Sequence, residues 1–560
     1  MTLRLRDYTL LALVCAALYL PGLATVPPID RDEPRFAESA REMLASHDFV
    51  DIRFQDEPRL KKPVGIYWLQ AASAKIFASG PDDRRIWPYR VPSTVAAISA
   101  VLLTATIGAA FFGRMTGLGA GILLALSLLL NIEARLAKTD ATLLAFTCLV
   151  QLCLARAYLA RDNGAPADGA PRAAAGRVNA AIYWLAIGGG ILIKGPIIVM
   201  VTGLTALTLV LVDRNARWLK RLRPWPYFLL TLIIVLPWGI AIMIGTKGAF
   251  FEEAVGHDLV GKITGAQESH GLFPGFFLVT FWATFWPGSL LAGLALPWVW
   301  RHWHTAQVRF SLAWLVPSWI VFEAVPTKLP HYTLPLFPAI AILAARAALD
   351  PWPTYSGARA RLAQHLFVGA WILLSAGMCV ALPLIPAAVD HRIDGLALAL
   401  AAVALLLFLA ALRLYRQGRR VPALATLVAA CLLYSGTAYD WVLPRTAAIW
   451  VSSQVAAAVA RAAPCPTAEL ISAGYSEPSL VFLIGPKVAF GDGGDAGRTL
   501  AHNKCALALV DKPFFPAFAA ALEQAGAHAE PVATIDGLNL ARGKRVALTL
   551  YARARADGGS

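Results

Sequence analysis

Apolar windows of ~20 residues recur along most of the chain, each long enough for a helix that crosses a bilayer. The first covers residues 8–25, and others follow at 89–112, 117–132, 178–193 and 197–212. Basic residues mark one side of the pattern. Arg4 and Arg6 precede the first window, and Arg114, residues 214–223, Arg301, Arg359 with Arg361, and residues 413–420 fall in short turns on that same side. Lys and Arg in short loops mark the cytoplasmic face, so the pattern predicts about thirteen spans with the C-terminus outside. Two longer polar loops lie outside, at residues 27–86 and 245–274. In the first, residues 34–46 read as a helix, and residues 64–78 as an amphipathic helix lying in the interface. After residue 442 the period changes. Short strand patterns occur at 468–473, 487–491, 505–510 and 545–550, with a helical one at 513–525. The prediction is an all-α polytopic membrane domain over 1–442, followed by a small extracytoplasmic α/β domain over 443–560.

Composition agrees. Of the 560 residues, 58% are hydrophobic and 15% charged, against about a quarter charged in soluble proteins. The net charge of +15 sits in the short turns, where it orients the spans. It is therefore no sign of nucleic-acid binding, and membrane lipids are the expected surroundings. The N-terminus has arginines before an apolar run, as a signal peptide does, but the run is long and has no Ala-x-Ala site. An uncleaved first span is expected. Five of the seven cysteines lie in apolar spans as small core residues. Cys465 and Cys505 lie in the polar tail, where an oxidising compartment would let them pair. No internal repeat is evident, which argues against a transporter built from duplicated halves.

The charged residues on the outer side form the candidate site. The first loop supplies Asp30, Asp32, Glu33, Arg35, Arg53, Lys61 and Lys62, with Arg90 at the mouth of the next span. A short loop supplies Glu133, Lys138 and Asp140, and later loops Lys194, His257, His270, Lys328 and His331. Several Lys and Arg in one place suit a phosphate, arginine through bidentate bonds and lysine as a point charge. Paired carboxylates suit sugar chemistry, where one deprotonates a nucleophile and the other steadies positive charge on the ring. Taken one at a time, juxtamembrane cations also snorkel to head groups, and Asp32 and Asp140 also suit helix capping. His257 and His270, near acids, are candidate metal ligands.

These residues also resemble a known family. Asp32-Glu33-Pro34-Arg35-Phe36-Ala37-Glu38, then Arg41-Glu42-Met43-Leu44-Ala45-Ser46, then Lys62-Pro63 with Gly65 and Tyr67-Trp68, are similar to the first periplasmic loop of the bacterial lipid A aminoarabinose transferases. Those enzymes belong with the protein O-mannosyltransferase-like GT-C glycosyltransferases. Further matches run in order: Asp140, Lys194-Gly195, Leu236-Pro237-Trp238-Gly239, His257, His270, and Lys328-Leu329-Pro330 with Tyr332.

The resemblance implies a GT-C fold and a monomeric, multi-pass inner-membrane transferase working at the periplasmic face. Its donor would be a polyprenyl (undecaprenyl) phosphate sugar, and its acceptor lipid A or a related glycolipid. It implies catalytic roles for Asp32 and Asp140, with Glu33 beside them. Arg35, Lys62, Arg90, Lys194 and Lys328 would hold the donor phosphate, and Tyr67, His331 and Tyr332 would line the substrate. The family's Lys-Pro is typically preceded by a Glu implicated in binding zinc. Here Lys61 stands there, which argues against zinc although both histidines persist. The sugar implied is 4-amino-4-deoxy-L-arabinose. Galacturonic acid or mannose, and core, polysaccharide or protein acceptors, stay open, as does a lipid-linked sugar flippase.

Overall fold

The computed structural model describes residues 3–554 apart from 56, 81, 161–169, 255, 257–260, 262–272 and 354–356. It is a bundle of helices carrying one α/β domain, and the bundle's interior is a single large apolar cluster. Helices occupy the expected windows. Among the described residues, seven are long and apolar enough to cross a membrane unaided. The pair Phe276–Thr284 and Ser289–His302, bent by 120°, has the length and composition of a broken span or a re-entrant loop. The remaining windows of the predicted thirteen hold shorter or less apolar helices, such as α1 (Leu5–Tyr19) and Ala306–Ala324.

Seven further elements position the site. They are α2 (Glu33–Ser46), α3 (Gly65–Phe77), α4 (Trp87–Phe112), α5 (Arg114–Leu126), α6 (Leu128–Glu133), α7 (Asp140–Leu159) and α8 (Ala170–Lys194). Pro34 stands in the first turn of α2, where its missing N–H costs nothing and its fixed φ suits a helix start. The amphipathic helix α3 is not simply laid on the interface. It packs on α2 and α4, and its first residue touches the end of α8. A Cβ added at Gly65 would lie 2.8 Å from the Leu192 carbonyl oxygen, so only glycine allows this approach.

The C-terminal domain has one five-stranded sheet. A two-residue ladder in the first loop, β1 (Arg53–Phe54) with β2 (Glu57–Pro58), comes before it in the chain. The sheet strands are β3 (Glu469–Ala473), β4 (Val488–Gly491), β5 (Ala506–Asp511), β6 (Ala529–Asn539) and β7 (Lys544–Arg553), in the order β4-β3-β5-β7-β6. Four of these fall where the alternation predicts them. The fifth, β6, has no clear sequence signal, because Glu530, Pro531, Asp536, Gly537 and Asn539 are residues that strands avoid. It is an edge strand, and the register slips between Pro531 and Ala533, which is where a sheet tolerates proline. Cys465 and Cys505 are joined, closing a 40-residue separation next to the starts of β3 and β5.

The domain rests on the first loop. Gln55 donates to the carbonyls of Pro486 and Val488, and Arg84 to that of Phe482. Replacing Cys465 and Cys505 with serine should lower the stability of the full-length protein by about 2–4 kcal/mol. Thermal unfolding in detergent, with and without reductant, measures this. Reductant should shift the wild type and leave the double variant unchanged.

Candidate active site

The chain leaves α1, turns, and enters α2 through Asp32, the residue just before that helix. The next side chain, Glu33, points inward. Its carboxylate accepts the backbone N–H of Ile29 and of Ala137, both at 2.9 Å. It also takes two bonds from Arg90, Nε to Oε1 at 2.8 Å and Nη2 to Oε2 at 2.9 Å. The remaining Arg90 hydrogens go to the carbonyls of Leu23, Val26 and Pro27. An arginine has five N–H donors, and here all five are spent inside the protein. Glu33 and Arg90 are each 1% exposed. This corrects one expectation, since Arg90 has no donor left for a phosphate. Glu33 borders the adjoining cavity, but its carboxylate is already engaged by Arg90 and two backbone N–H groups. Together Glu33 and Arg90 pin the first loop to α4 and to the loop that carries Lys138.

That staple leaves Asp32 exposed on the wall of a cavity of about 1150 Å³. The first loop contributes Asp30, Arg31, Arg35, Arg59 and Lys61. Lys138 and His331 form another side, Glu252 and Glu253 a third, and Ser476, Glu477 and Arg542 of the C-terminal domain close it. Of the five cations expected to bind phosphate, Arg35 lines this cavity. Lys62 is half-buried, and its charge reaches His331. Lys328 is buried and donates to the Val325 carbonyl at 2.7 Å, away from the wall. Tyr67 is fully buried, and its hydroxyl accepts from Arg59 Nε at 3.0 Å while Phe36 packs on its ring. It therefore does not line the site, and it positions Arg59, which does.

Asp140 starts α7 and is 4% exposed. Lys194, the last residue of α8, places Nζ 2.5 Å from Asp140 Oδ1. Lys138 lies between Asp140 (3.9 Å) and Glu133 (3.5 Å). His331 sits across the same pair, Nδ1 at 3.8 Å from Glu133 and Nε2 at 3.9 Å from Asp140. Tyr332 places its ring under Lys194, 5.6 Å from Nζ. Asp140 thus lies behind the wall, next to Lys138 and His331, which form part of it.

Burial pushes the Glu133 carboxyl up to about 7, and the Asp140 charge adds to this while Lys138 and Lys194 oppose it. Burial works against the Lys138 ammonium, but the carboxylates of Glu133, Asp140 and Asp32 outweigh it and hold the amine above the usual lysine range. Burial, against the pull of Asp140 and with Lys138, Lys194 and Lys62 adding to it, keeps His331 well below its ordinary value, so its imidazole is neutral at pH 7.

Glu133, Asp140 and His331 bring potential ligand atoms within 4.8 Å of one another, and their donor types suit zinc. As they stand, the residues do not fit a resident metal. Two ammonium groups already sit against the same two carboxylates and balance their charge. The other expected ligands, His257 and His270, lie outside the described residues.

Sequence reasoning counted Lys138 in the charged cluster but did not name it among the five phosphate-binding cations, although it stands two residues before Asp140. It gave no role to Arg59, Glu477 or Arg542 either. Their approach to the cavity depends on how the first loop and the C-terminal domain fold together.

This is the architecture of the GT-C glycosyltransferases. ArnT from Cupriavidus metallidurans bound to undecaprenyl phosphate superposes with a TM-score of 0.74 at 20% identity, covering 97% of each chain. The archaeal oligosaccharyltransferase AglB from Archaeoglobus fulgidus gives 0.52 at 11% identity, over 99% of this chain and 74% of that one. In sequence, residues 61–240 match the dolichyl-phosphate-mannose-protein mannosyltransferase family. The undecaprenyl phosphate-alpha-4-amino-4-deoxy-L-arabinose arabinosyl transferase of Pseudomonas paraeruginosa is 26% identical over 349 residues, 62% of this chain and 60% of that protein. The protein of that name from an Enterobacter species is 26% identical over 57% of this chain and 55% of its own length. These matches span less than two thirds of the relatives. The chain thus has the GT-C fold, with several helices long and apolar enough to cross a membrane, and part of its sequence is similar to the aminoarabinose transferases and the protein O-mannosyltransferases.

Removing one partner of a buried ion pair leaves the other charged and unpaired. Arg90→Ala should therefore cost about 3–5 kcal/mol, read as a large fall in thermal stability and in folded yield. A phosphate-binding role alone would leave stability intact. The raised Glu133 carboxyl makes a second prediction. A carboxyl whose folded value lies above its unfolded one loses stability as pH rises through the interval between them. The stability of wild type relative to Glu133→Gln should therefore fall as pH goes from about 4.5 to about 7, and level off above that. Unfolding midpoints of both proteins across that range test it.

Proposed function

We propose that this protein is an integral membrane glycosyltransferase that moves a sugar from a polyprenyl phosphate donor to a glycolipid acceptor. The observation that carries the reading is the cavity itself, which places the exposed Asp32 beside Arg35, Arg59, Lys61 and Lys138. In the reaction the bond between sugar C1 and the phosphate oxygen breaks, and a bond forms from C1 to an acceptor oxygen on the opposite face. The electron pair of the broken bond stays on the phosphate, and Arg35 and Lys138 stabilise that charge as it develops. Glu133 and Asp140 hold Lys138 in place, and Lys194 offsets Asp140 from behind. If the acceptor oxygen is a hydroxyl, Asp32 accepts its proton. If it belongs to a phosphate, no base is needed, and Asp32 steadies the positive charge on the ring.

The names of the relatives support 4-amino-4-deoxy-L-arabinose as the sugar and undecaprenyl phosphate as the carrier, and the resemblance of the first loop to the lipid A aminoarabinose transferases supports lipid A as the acceptor. The same likeness supports an inner-membrane enzyme whose cavity and C-terminal domain face the periplasm. No metal is assigned a step, because ammonium groups already balance the carboxylates where a metal would sit. The cavity walls are loops and the C-terminal domain rather than the middle of the spans, which favours a transferase over a flippase.

Asp32→Asn should lower transfer by about a hundred- to ten-thousand-fold with no change in thermal stability. The assay follows release of polyprenyl phosphate in the presence and absence of acceptor. Full activity in that variant would remove Asp32 from the mechanism.

A further inference from the structure

The outermost wall of the cavity comes from a domain to which the chemistry above assigns no part. Its two pieces are the segment around Ser476 and Glu477 and the turn between β6 and β7, which carries Ala541 and Arg542. The turn is tightly built. Asn539 accepts the Arg542 N–H on its side chain at 3.0 Å and the Gly543 N–H on its carbonyl at 2.8 Å. Its amide nitrogen donates to Glu477 Oε1 at 2.8 Å. The acid nearest the turn is thus already engaged. Asp30 is likewise engaged by the Ser479 N–H at 3.1 Å.

Arg542 is different. Its guanidinium is exposed to the cavity and donates from Nη2 to Ser476 Oγ at 3.1 Å. Among the described residues no carboxylate pairs with it. Its one side-chain bond among them is to a neutral hydroxyl, which leaves the other guanidinium donors open to an incoming oxyanion, the ligand that arginine's planar fork suits. Arg31 of the first loop meets the same turn, donating from Nη2 to the Ala541 carbonyl at 2.6 Å. The backbone of Arg31 is in the left-handed region, at φ 80°. A residue with a Cβ is strained there, and such strain gathers at functional sites. Arg31 is also the residue immediately before Asp32, so the turn, this arginine and Asp32 form one connected edge.

We infer that Arg542, seated by Ser476 and by the Asn539 turn, binds an anionic group on the acceptor's saccharide and so sets which acceptors reach Asp32. The inference rests on the transferase reading above. The donor phosphate is tied to a chain in the bilayer and meets Arg35 and Lys138 on the walls formed by the membrane domain's loops. The acceptor head group must enter from the far side, where the C-terminal domain stands.

Equilibrium binding and transfer by the full-length protein in nanodiscs test this, with bis-phosphorylated lipid A, monophosphorylated lipid A and undecaprenyl phosphate as probes. Arg542→Ala should weaken binding of bis-phosphorylated lipid A about tenfold and raise the acceptor KM to match, with undecaprenyl phosphate affinity unchanged. Arg542→Lys should recover part of the loss, and the penalty should shrink with the monophosphorylated lipid. Unchanged lipid A binding in Arg542→Ala overturns the inference, as does an equal loss of undecaprenyl phosphate binding. Wild-type protein that binds both lipids but transfers no sugar would instead sink the transferase reading.

Discussion

Glu33 and Arg90 hold the site's geometry. Each carboxylate oxygen of Glu33 accepts two hydrogen bonds, and no N–H of Arg90 lacks a partner. The pair ties three stretches of chain: the turn after α1, the start of α4, and the loop between α6 and α7. A buried ion pair of this kind adds little net stability over a packed apolar pair. What it supplies is a fixed mutual placement, because each bond has a direction. Asp32 follows from it on one side and Lys138 on the other.

Around that staple the charges alternate. Lys194 faces Asp140, Lys138 stands between Asp140 and Glu133, and His331 spans the two acids as a neutral ring. In a poorly solvated place each of these charges would be costly alone. Together they keep one lysine charged at the edge of a cavity that also holds an exposed aspartate. That would suit the proposed transfer, in which negative charge grows on a departing phosphate while positive charge grows on a sugar ring a few bonds away.

Much of this was legible in the sequence. Hydrophobic period gave the helical bundle, and four of the five strands of the C-terminal sheet were readable from alternation. Spacing alone did not say which charged residues work on substrate and which build the scaffold. Arg90 and Arg35 look alike as juxtamembrane cations, yet one is enclosed by five acceptors and the other lines the cavity. Tyr67, which the family resemblance set among the substrate-lining residues, lies behind Arg59. The strand β6 escaped because its proline, glycine and acidic residues are tolerated only at a sheet edge, and being an edge is a property of the fold. The contribution of Ser476 and Arg542 was invisible for the same reason, since it depends on two distant segments closing over one space.

The contact at Gly65 has a consequence of its own. The first residue of α3 rests directly on the Leu192 carbonyl near the end of α8, with no room for a methyl group between them. Lys61 and Lys62 lie just before that point of contact, and Lys194 just beyond Leu192. The separation between lysines from two remote segments is therefore set by backbone touching backbone. Side-chain rearrangement alone cannot loosen it. Any movement that widened this corner would have to slide one whole helix against another, so the cavity's give must come from elsewhere around the rim.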